Sequence, residues 1–591
     1  MVMSKNEDSL LTQHAMLVVW GQFAQAFGLI QGVMEVPIGQ KTVEYSPHTK
    51  ILEFFIAILA GLKHLQDLNA AAEPIVKDEA VARAWLQPGW AHHSGVSRTL
   101  TAMTQAEAEQ ITQVLEKLEQ PIINREVMLA LASQDRLMFD GDLTARPVSD
   151  TSTDYPGAAF GHMGGDTLGK GFQSSQVSVR TPTYGRLLLS SALNPGDVVS
   201  SSQTEALVQA AEKRIGMHPL RRTDLVEQRL EKQKKHRQDQ EERLGESQNN
   251  LEHIIERIVE TDQAIAQHPA QLAAMEAEYQ AAGKKERPFS ALGRLRKQSA
   301  ILQKRRTRLE KQLARLQHKM QLCQTRWAES LQTEKALEQR LEQLRHENSV
   351  NPFPIQAVFR LDAGFGTREN VIWLIEMGYE VYTRPCGNWL MPRLKKLAQD
   401  LTWLRVGKNA EMVAWKQMQP EDFPYPLDVA LERFHTGDKL RHSTLLHFGA
   451  DPVTTDLPSW FSFYNARQTI EAGIKEGKGT FAMRYLKVRS KPALYLQEQF
   501  GRFVANFVRF ASAWLAEQCP ELPNGWEVPA KPKVKQQVVA GAHTSAWIEW
   551  HEQGYLLRFT DHSVFAGRSL QLLGKPIAIQ LALPFAEKLQ I

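Results

Sequence analysis

Six residues in this chain are of types, and at spacings, that suit phosphodiester chemistry. Asp142 in "FDGDLT" and Asp362 in "VFRLDAGFGT" each follow an apolar, strand-like run. The carboxyl end of a strand beside a tight glycine turn is where α/β sheets collect their ligands. Tyr464, Arg467, Glu471 and Lys478 follow in "FYNARQTIEAGIKEGKG" at successive offsets of three, four and seven. On a helix those offsets fall on one face. Three carboxylates could hold two divalent cations roughly 3.5–4 Å apart, clamping the attacking and leaving oxygens of a phosphodiester through hard oxygen ligands on rigid elements. Arg467 and Lys478 suit the phosphate itself, Arg bidentately and Lys as a point charge.

Each residue also has a plainer reading. Asp142 could be a turn residue after a strand, and the Tyr464 to Lys478 set could be one solvated strip of an amphipathic helix. An acid after an apolar strand, as at Asp362, is less readily explained by packing. With each residue type near 5% of composition, the four-position match should arise by chance in only about four per thousand chains of this length. The spacing therefore carries more weight than either aspartate alone.

The elements that must position these residues follow from periodicity. Residues 1–125 are helical in pattern, and "AVARAWLQPGWAHHSGVSRTLTAMT" (80–104) reads as two short helices about Pro88-Gly89. The second carries Ser97, Arg98 and Thr99, which makes a helix-turn-helix DNA reader or an ordinary packed pair. From about 135 the period becomes two, and "RLMFDGDLT", "FQSSQVSVR" and "GRLLLSSAL" read as successive strands before the helical "SQTEALVQAAEKRIG". After residue 350 come the strand ending in Asp362, a helix over 367–377 and the strand "YEVYTR". A β-rich stretch over 396–455 follows, then helices near 461–478 and 494–518. A Pro- and Lys-rich linker leads to a small β module over 536–591.

Residues 220–350 break this pattern. Leu230, Leu244, Leu251, Ile258, Ile265 and Leu272 share a seven-residue lattice with Arg237 as its polar exception. Leu302, Leu309, Leu313, Leu316, Met320, Cys323 and Trp327 keep the three-four spacing of a coiled-coil seam. Pro269 and "GKKERPFSALG" interrupt the lattice, so an antiparallel helical hairpin is expected. From Lys284 to Lys319 there are 13 Lys or Arg against two acids, a net of +11, either a solvated flank or a contact for a nucleic-acid backbone.

With the hairpin removed, the order strand, strand, strand, helix, strand, helix, strand, later helix is that of a ribonuclease-H-like core. The expected fold class is α/β: such a core over 126–219, 351–395 and 456–520, with a helical N-terminal domain, the coiled-coil insertion and the β-rich insertion. Asp142 (with Asp140 close by), Asp362 and Glu471 stand where such a core places its carboxylates.

The Y-x2-R-x3-E-x6-K helix, "RLDAGFGT" and "DGDLT" together resemble the DDE transposases of bacterial insertion sequences, the branch defined by that helix signature. The resemblance covers 126–219 and 351–520. It implies a cut-and-paste transposase in which Asp142, Asp362 and Glu471 bind two divalent metal ions, Mg2+ or Mn2+. Tyr464, Arg467 and Lys478 would hold DNA phosphates. The stretch "FGHMGGDTLGKGFQ" resembles the loop before the family's second strand and would bring Lys170 and Gln173 near the acids. The partners implied are double-stranded DNA, as terminal inverted repeats and as target, and a second copy of the chain in a homodimer. Two departures stand out: Gln468 occupies a position where some relatives carry Trp, and the coiled coil lies outside the common pattern. Asp142 is favoured over Asp140 as first ligand, because its spacing to Thr144 fits the family better.

Composition bounds the rivals. The net charge of +4 over 591 residues is nearly balanced, and three distant cysteines form neither a disulfide framework nor a zinc site. The most apolar run, "ILEFFIAILAGL", is too short to span a membrane and carries Glu53. No signal-peptide order opens the chain, so a bacterial cytoplasmic, nucleoid-associated protein is expected. Rivals to a transposase are a domesticated DNA-binding derivative that no longer cuts, a nuclease without strand transfer, and a coiled-coil structural factor.

Overall fold

The computed structural model of the chain describes residues 9–164, 167–387, 389–420, 423–518, 534–536, 538, 542–551, 554–560 and 569–573. The chain is mixed α/β, and it divides into two compact units, 1–220 with 351–591, and 221–350.

Among the described residues fourteen strands follow in chain order, beginning with β1 (Ser9–Thr12), β2 (Leu137–Pro147), β3 (Ala159–His162), β4 (Leu168–Val179) and β5 (Leu187–Pro195). After the hairpin come β6 (Ala357–Arg360), β7 (Glu380–Thr383), β8 (Leu404–Arg405), β9 (Ala410–Met418), β10 (Leu427–Thr436) and β11 (Lys439–Phe448). The last are β12 (Ala546–His551), β13 (Gly554–Phe559) and β14 (Ser569–Leu573). The main sheet has the order β3-β4-β2-β6-β7-β11-β10-β9-β8, with β5 also on β4. Only β2–β6 and β6–β7 are parallel; the pairs on either side of them are antiparallel.

Alternation along β2 and β6 gives the sheet two different faces. Phe139 and Phe359 stack with ring centroids 5.6 Å apart, and a Cβ at Gly141 would meet Leu361, Phe359 and Leu207. That face is covered by the helix Thr204–Ile215, which carries Leu207. On the other face Val358 and Tyr382 join Met412, Ala430 and Leu445 in a core closed by Trp460 and Tyr464 of the helix Leu457–Asn465. A strand buried on both faces explains the apolar residues of "AVFRL" on either side of Arg360, which is itself fully buried.

The stretch 396–455 forms no separate module. β11 pairs antiparallel with β7, so the meander β8–β11 extends the main sheet and supplies part of the floor under Trp460 and Tyr464. The expected boundary at 125 falls inside the continuous helix Gln105–Gln134. Its buried Glu119 accepts from Arg502 at 2.5 Å and Asn506 at 2.9 Å of the helix Lys491–Gln518, and from Arg214 at 2.9 Å. The apolar face of that long helix meets the N-terminal helices through rings such as Phe23–Phe507 at 4.9 Å and Phe55–Phe500 at 5.3 Å. Of the C-terminal module, β12–β14 form an antiparallel sheet that β1 completes; 574–591 lie outside the described residues.

The hairpin unit consists of the helices Thr223–Ala281 and Ala291–Ser349. The first runs through Pro269 without stopping, contrary to expectation, because one missing N–H does not break a long helix held by a neighbour; His268 beside it bonds the Leu295 carbonyl of the facing helix at 2.7 Å. The most buried lattice is also not the leucine one: Gln240, Ser247, Ile254, Thr261 and His268 are buried, at seven-residue intervals. On the same lattice, Gln233 donates to the Ser330 carbonyl and hydroxyl at 2.9 Å each. A polar seam of this kind costs stability and fixes register.

In the helix Pro47–Leu59, Glu53 is fully buried and accepts from the Ala91 amide at 3.0 Å. Burial pushes its carboxyl up to about 8, against small opposing effects of that hydrogen bond and Lys50. In the unfolded chain it titrates near the ordinary glutamate value, about 4.3. Its contribution is therefore full below that value and is lost as pH rises toward 8. Unfolding free energies measured from pH 5 to 9 should fall more steeply for the native chain than for Glu53→Gln. The difference should level off above pH 8 at several kcal/mol, given about 1.4 kcal/mol per pH unit.

Candidate active site

The site is built where the parallel pairing of β2 with β6 ends, β6 stopping at Arg360 while β2 runs on to Pro147. Asp140 and Arg360 are register partners across that pair, and their side chains form a fully buried bidentate ion pair, both bonds 2.7 Å. Arg360 also donates to the Phe463 carbonyl at 2.8 Å, fastening the helix Leu457–Asn465 to the sheet. Asp140 is thus spent inside the core. Two residues further along each strand, on the same face, Asp142 and Asp362 remain, and this separates the two aspartates that the sequence leaves close together.

Asp142 is 9% exposed, and its Oδ1 accepts from the Leu143 amide at 2.8 Å. Burial first, and then the Asp362 carboxylate, raise it to about 7, with Glu471 adding to the repulsion and Arg467 opposing it. Asp362 tops its strand in a turn closed by its own Oδ1, which accepts from the Gly364 amide at 2.8 Å. Gly366 of that turn lies against the next strand so closely that a Cβ would collide with the Arg384 carbonyl. The glycines after Asp362 are therefore the condition for bringing β7 alongside.

The signature residues do not share one unbroken helix. The expected helix over 461–478 is divided into Leu457–Asn465 and Gln468–Gly479, with Arg467 at the junction. Arg467 Nη2 donates to Glu471 Oε1 at 3.0 Å. Burial works against the Arg467 charge, but Tyr464, Asp142, Asp362 and Glu471 together hold its pKa above the usual value. Lys478 feels Asp142 as well, yet burial and nearby Arg146 lower its pKa. Asp362, Arg467 and Glu471 line a cleft of about 670 Å3 together with Tyr464, Arg384, Glu432, Phe434 and Phe461.

Three expected binding residues are placed differently. Tyr464 is 3% exposed and donates its hydroxyl to the Leu361 carbonyl at 3.2 Å, so it props the strand end before Asp362 and has no hydroxyl to offer a phosphate. Lys170 stands six positions along β4 from Gln176, the register partner of Asp142, roughly 20 Å away at the rise of a strand. Its ammonium donates to the Ser152 carbonyl at 2.6 Å, while Gln173 donates to the His162 carbonyl at 2.6 Å. The glycine-rich loop does not bring either residue to the acids. Arg98 is exposed on the helix His93–Ala102, and the same helix contributes His93 and Ser97 to a second cleft, about 480 Å3, with Arg484, Lys487 and Arg489.

Sequence reasoning missed Arg384 and Glu432. Arg384 follows β7, lies 5.3 Å from the Tyr464 ring centroid and pairs with Glu432 at 2.9 Å. The signal was available in "YEVYTR", an Arg one residue past a strand that parallels the Asp362 strand. Glu432 arrives from β10 and had no local signal.

The donor chemistry fits divalent cations: Asp142 and Asp362 are hard oxygen ligands whose mutual repulsion lacks a full counter-charge. Among the described residues, no three His, Cys, Asp or Glu side chains already form a metal-sized cluster, and Glu471 is engaged with Arg467. Glu471 could join the two aspartates only by exchanging that partner.

No protein-family model matches the chain, and no curated protein matches it in sequence.

Three substitutions test this geometry. Arg360→Met, which strands buried Asp140, should lower the urea unfolding free energy by about 3–5 kcal/mol, whereas Asp142→Asn should leave it equal or higher at pH 8. Gly473→Ala should act on the site indirectly: a Cβ there runs into the buried Arg186 guanidinium. A loss of about 1–3 kcal/mol is expected, with the Arg186→Ala, Gly473→Ala pair less than additive by double-mutant cycle.

Proposed function

We propose that the chain is a DNA transposase of the DDE type, which cleaves at transposon ends and transfers the freed 3′ strand into target DNA. The observation that carries this reading is the parallel β2–β6 pair, which sets Asp142 beside Asp362, with Arg467 and Glu471 on the adjoining helices. The order β5-β4-β2-β6-β7, with only its last three strands parallel, supports a ribonuclease-H-like core.

When bound by Asp142, Asp362 and Glu471, two divalent ions, Mg2+ or Mn2+, would neutralise phosphate charge and activate the attacking oxygen. The chain's own residues do the rest by positioning and charge. Arg467, whose Nη2 lies 3.0 Å from Glu471 Oε1, would be free to take a phosphate if Glu471 joined the two aspartates in holding a cation. Lys478 adds a partly desolvated point charge on the same helix, and Arg384 a guanidinium on the opposite wall. Phe434 and Phe461 limit water in the cleft. Joining two ends in one complex calls for two copies of the chain acting on double-stranded DNA.

The test is a linear substrate carrying the gene with its native flanks, incubated with protein and Mg2+ or Mn2+, with new 3′ ends mapped. Paired cuts at inverted repeats and strand-transfer products are expected. Asp142→Asn, Asp362→Asn and Glu471→Gln should each reduce them by at least roughly a thousandfold, on the scale of losing one essential catalytic group. Tight binding to the flanks with no cutting by the native protein would replace this reading with a non-cutting DNA-binding derivative; cutting without transfer products would leave a nuclease.

A further inference from the structure

Charge is unevenly shared along the hairpin. Residues 251–319 carry 14 Lys or Arg against 8 acids, whereas 221–250 and 320–350 together carry 12 of each. In the balanced half, three cations are spent across the seam: Arg237 on Glu334 at 2.7 Å, Lys234 on Glu338 at 2.9 Å and Arg345 on Glu227 at 2.8 Å. In the basic half, Arg296 and Arg306 do the same, with Glu276 and Asp262.

Six others do not. Lys297, Lys304, Arg308, Lys311, Arg315 and Lys319 are all exposed and have no acidic partner among the described residues. Their spacing of seven, four, three, four and four puts them on one face. That face points away from the seam residues Leu302, Leu309, Leu313 and Leu316, since each residue advances about 100°. The stripe is about 33 Å long at 1.5 Å per residue, close to one turn of B-form DNA.

We propose that this stripe is a docking surface for the phosphate backbone of duplex DNA, outside the cleft. A straight, rigid row of cations with one helical turn of reach complements a rigid polyanion. Among the described residues its one aromatic neighbour is exposed Phe289, beside Lys297 at one end, whereas single strands stack on successive aromatic platforms, and Ile301 alone interrupts it where a membrane-lying helix would need a broad apolar face. The choice of DNA over duplex RNA rests on the transposase reading; the polyanion surface does not.

The test uses the full-length protein and a duplex of roughly four helical turns whose sequence is unrelated to the gene's flanks. Binding is followed by fluorescence anisotropy from about 50 to 200 mM salt. Replacing all six cations by Gln should make the slope of log K against log salt shallower by about 3–5, at about 0.9 per phosphate contact. Lys304→Gln, Arg308→Gln and Lys311→Gln alone should remove about half of that, and a set of Lys-to-Arg and Arg-to-Lys swaps should remove none. Unchanged slopes in Gln variants that keep native circular dichroism would overturn the proposal, leaving a solvated flank. Equal affinity for duplex RNA, or preference for anionic vesicles, would overturn the assignment to DNA. Lys235→Gln, at an exposed position in the balanced half of the hairpin, should keep the native slope within about one contact's worth. A native protein that never cuts but loses slope with the stripe would therefore refute the transposase reading and uphold the stripe.

Discussion

Parallel pairing of β2 with β6, locked by the buried Asp140–Arg360 pair, is the constraint on which the rest of the cleft depends. Strand side chains alternate between faces, so a slip of one residue would turn Asp142 to the face beneath the helix Thr204–Ile215 and leave Asp362 alone. Apolar residues by themselves would tolerate such a slip poorly but not forbid it. A bidentate ion pair with both partners at 0% exposure forbids it, because the misregistered state would strand two charges in the core. The third bond of Arg360, to the Phe463 carbonyl, extends the same register to the helix that leads into Arg467 and Glu471.

The cleft itself is held in a different electrostatic condition. Two aspartates share a partly buried corner, and the one cation that all three acids feel is Arg467. Arg467 keeps Glu471 at hand while opposing, without cancelling, the repulsion on Asp142. In the proposed chemistry, the arrival of cations and phosphate exchanges these partners. That exchange costs little if both sets of ion pairs are comparably strong. The sheet extension β8–β11 supports the arrangement from below, through the shared core with Trp460 and Tyr464, and from the side, through Glu432 on Arg384.

The hairpin separates its interactions by position. Polar residues occupy the most buried lattice and fix which residue faces which, and seam-flanking cations are consumed by acids of the other helix. On the outer face of the basic half six exposed cations without an acidic partner among the described residues share one stripe, and the net charge over the whole chain, +4, conceals this local surface of one sign.

Several features were legible in the residues alone because they follow from short-range physics. Period-two runs located β2, β4 and β5, apolar runs on either side of a helix located β6 and β7, and seven-residue spacing located both long helices. Other readings failed where the outcome depends on distant partners. Pro269 was expected to interrupt the seven-residue lattice, yet the helix runs through it beside a neighbouring helix. Residues 461–478 were expected as one helix, but tertiary packing breaks it at Arg467. Tyr464 and Lys170 were assigned outward roles, although a carbonyl from another element claims each polar group. What the sequence determined by itself was which segments are strands or helices and which carry acids, since those depend on neighbours a few residues away. Which aspartate is buried with Arg360 and which is left at the cleft was decided only by the tertiary structure, because a strand's register, and with it the face each carboxylate meets, is set by residues more than two hundred positions apart.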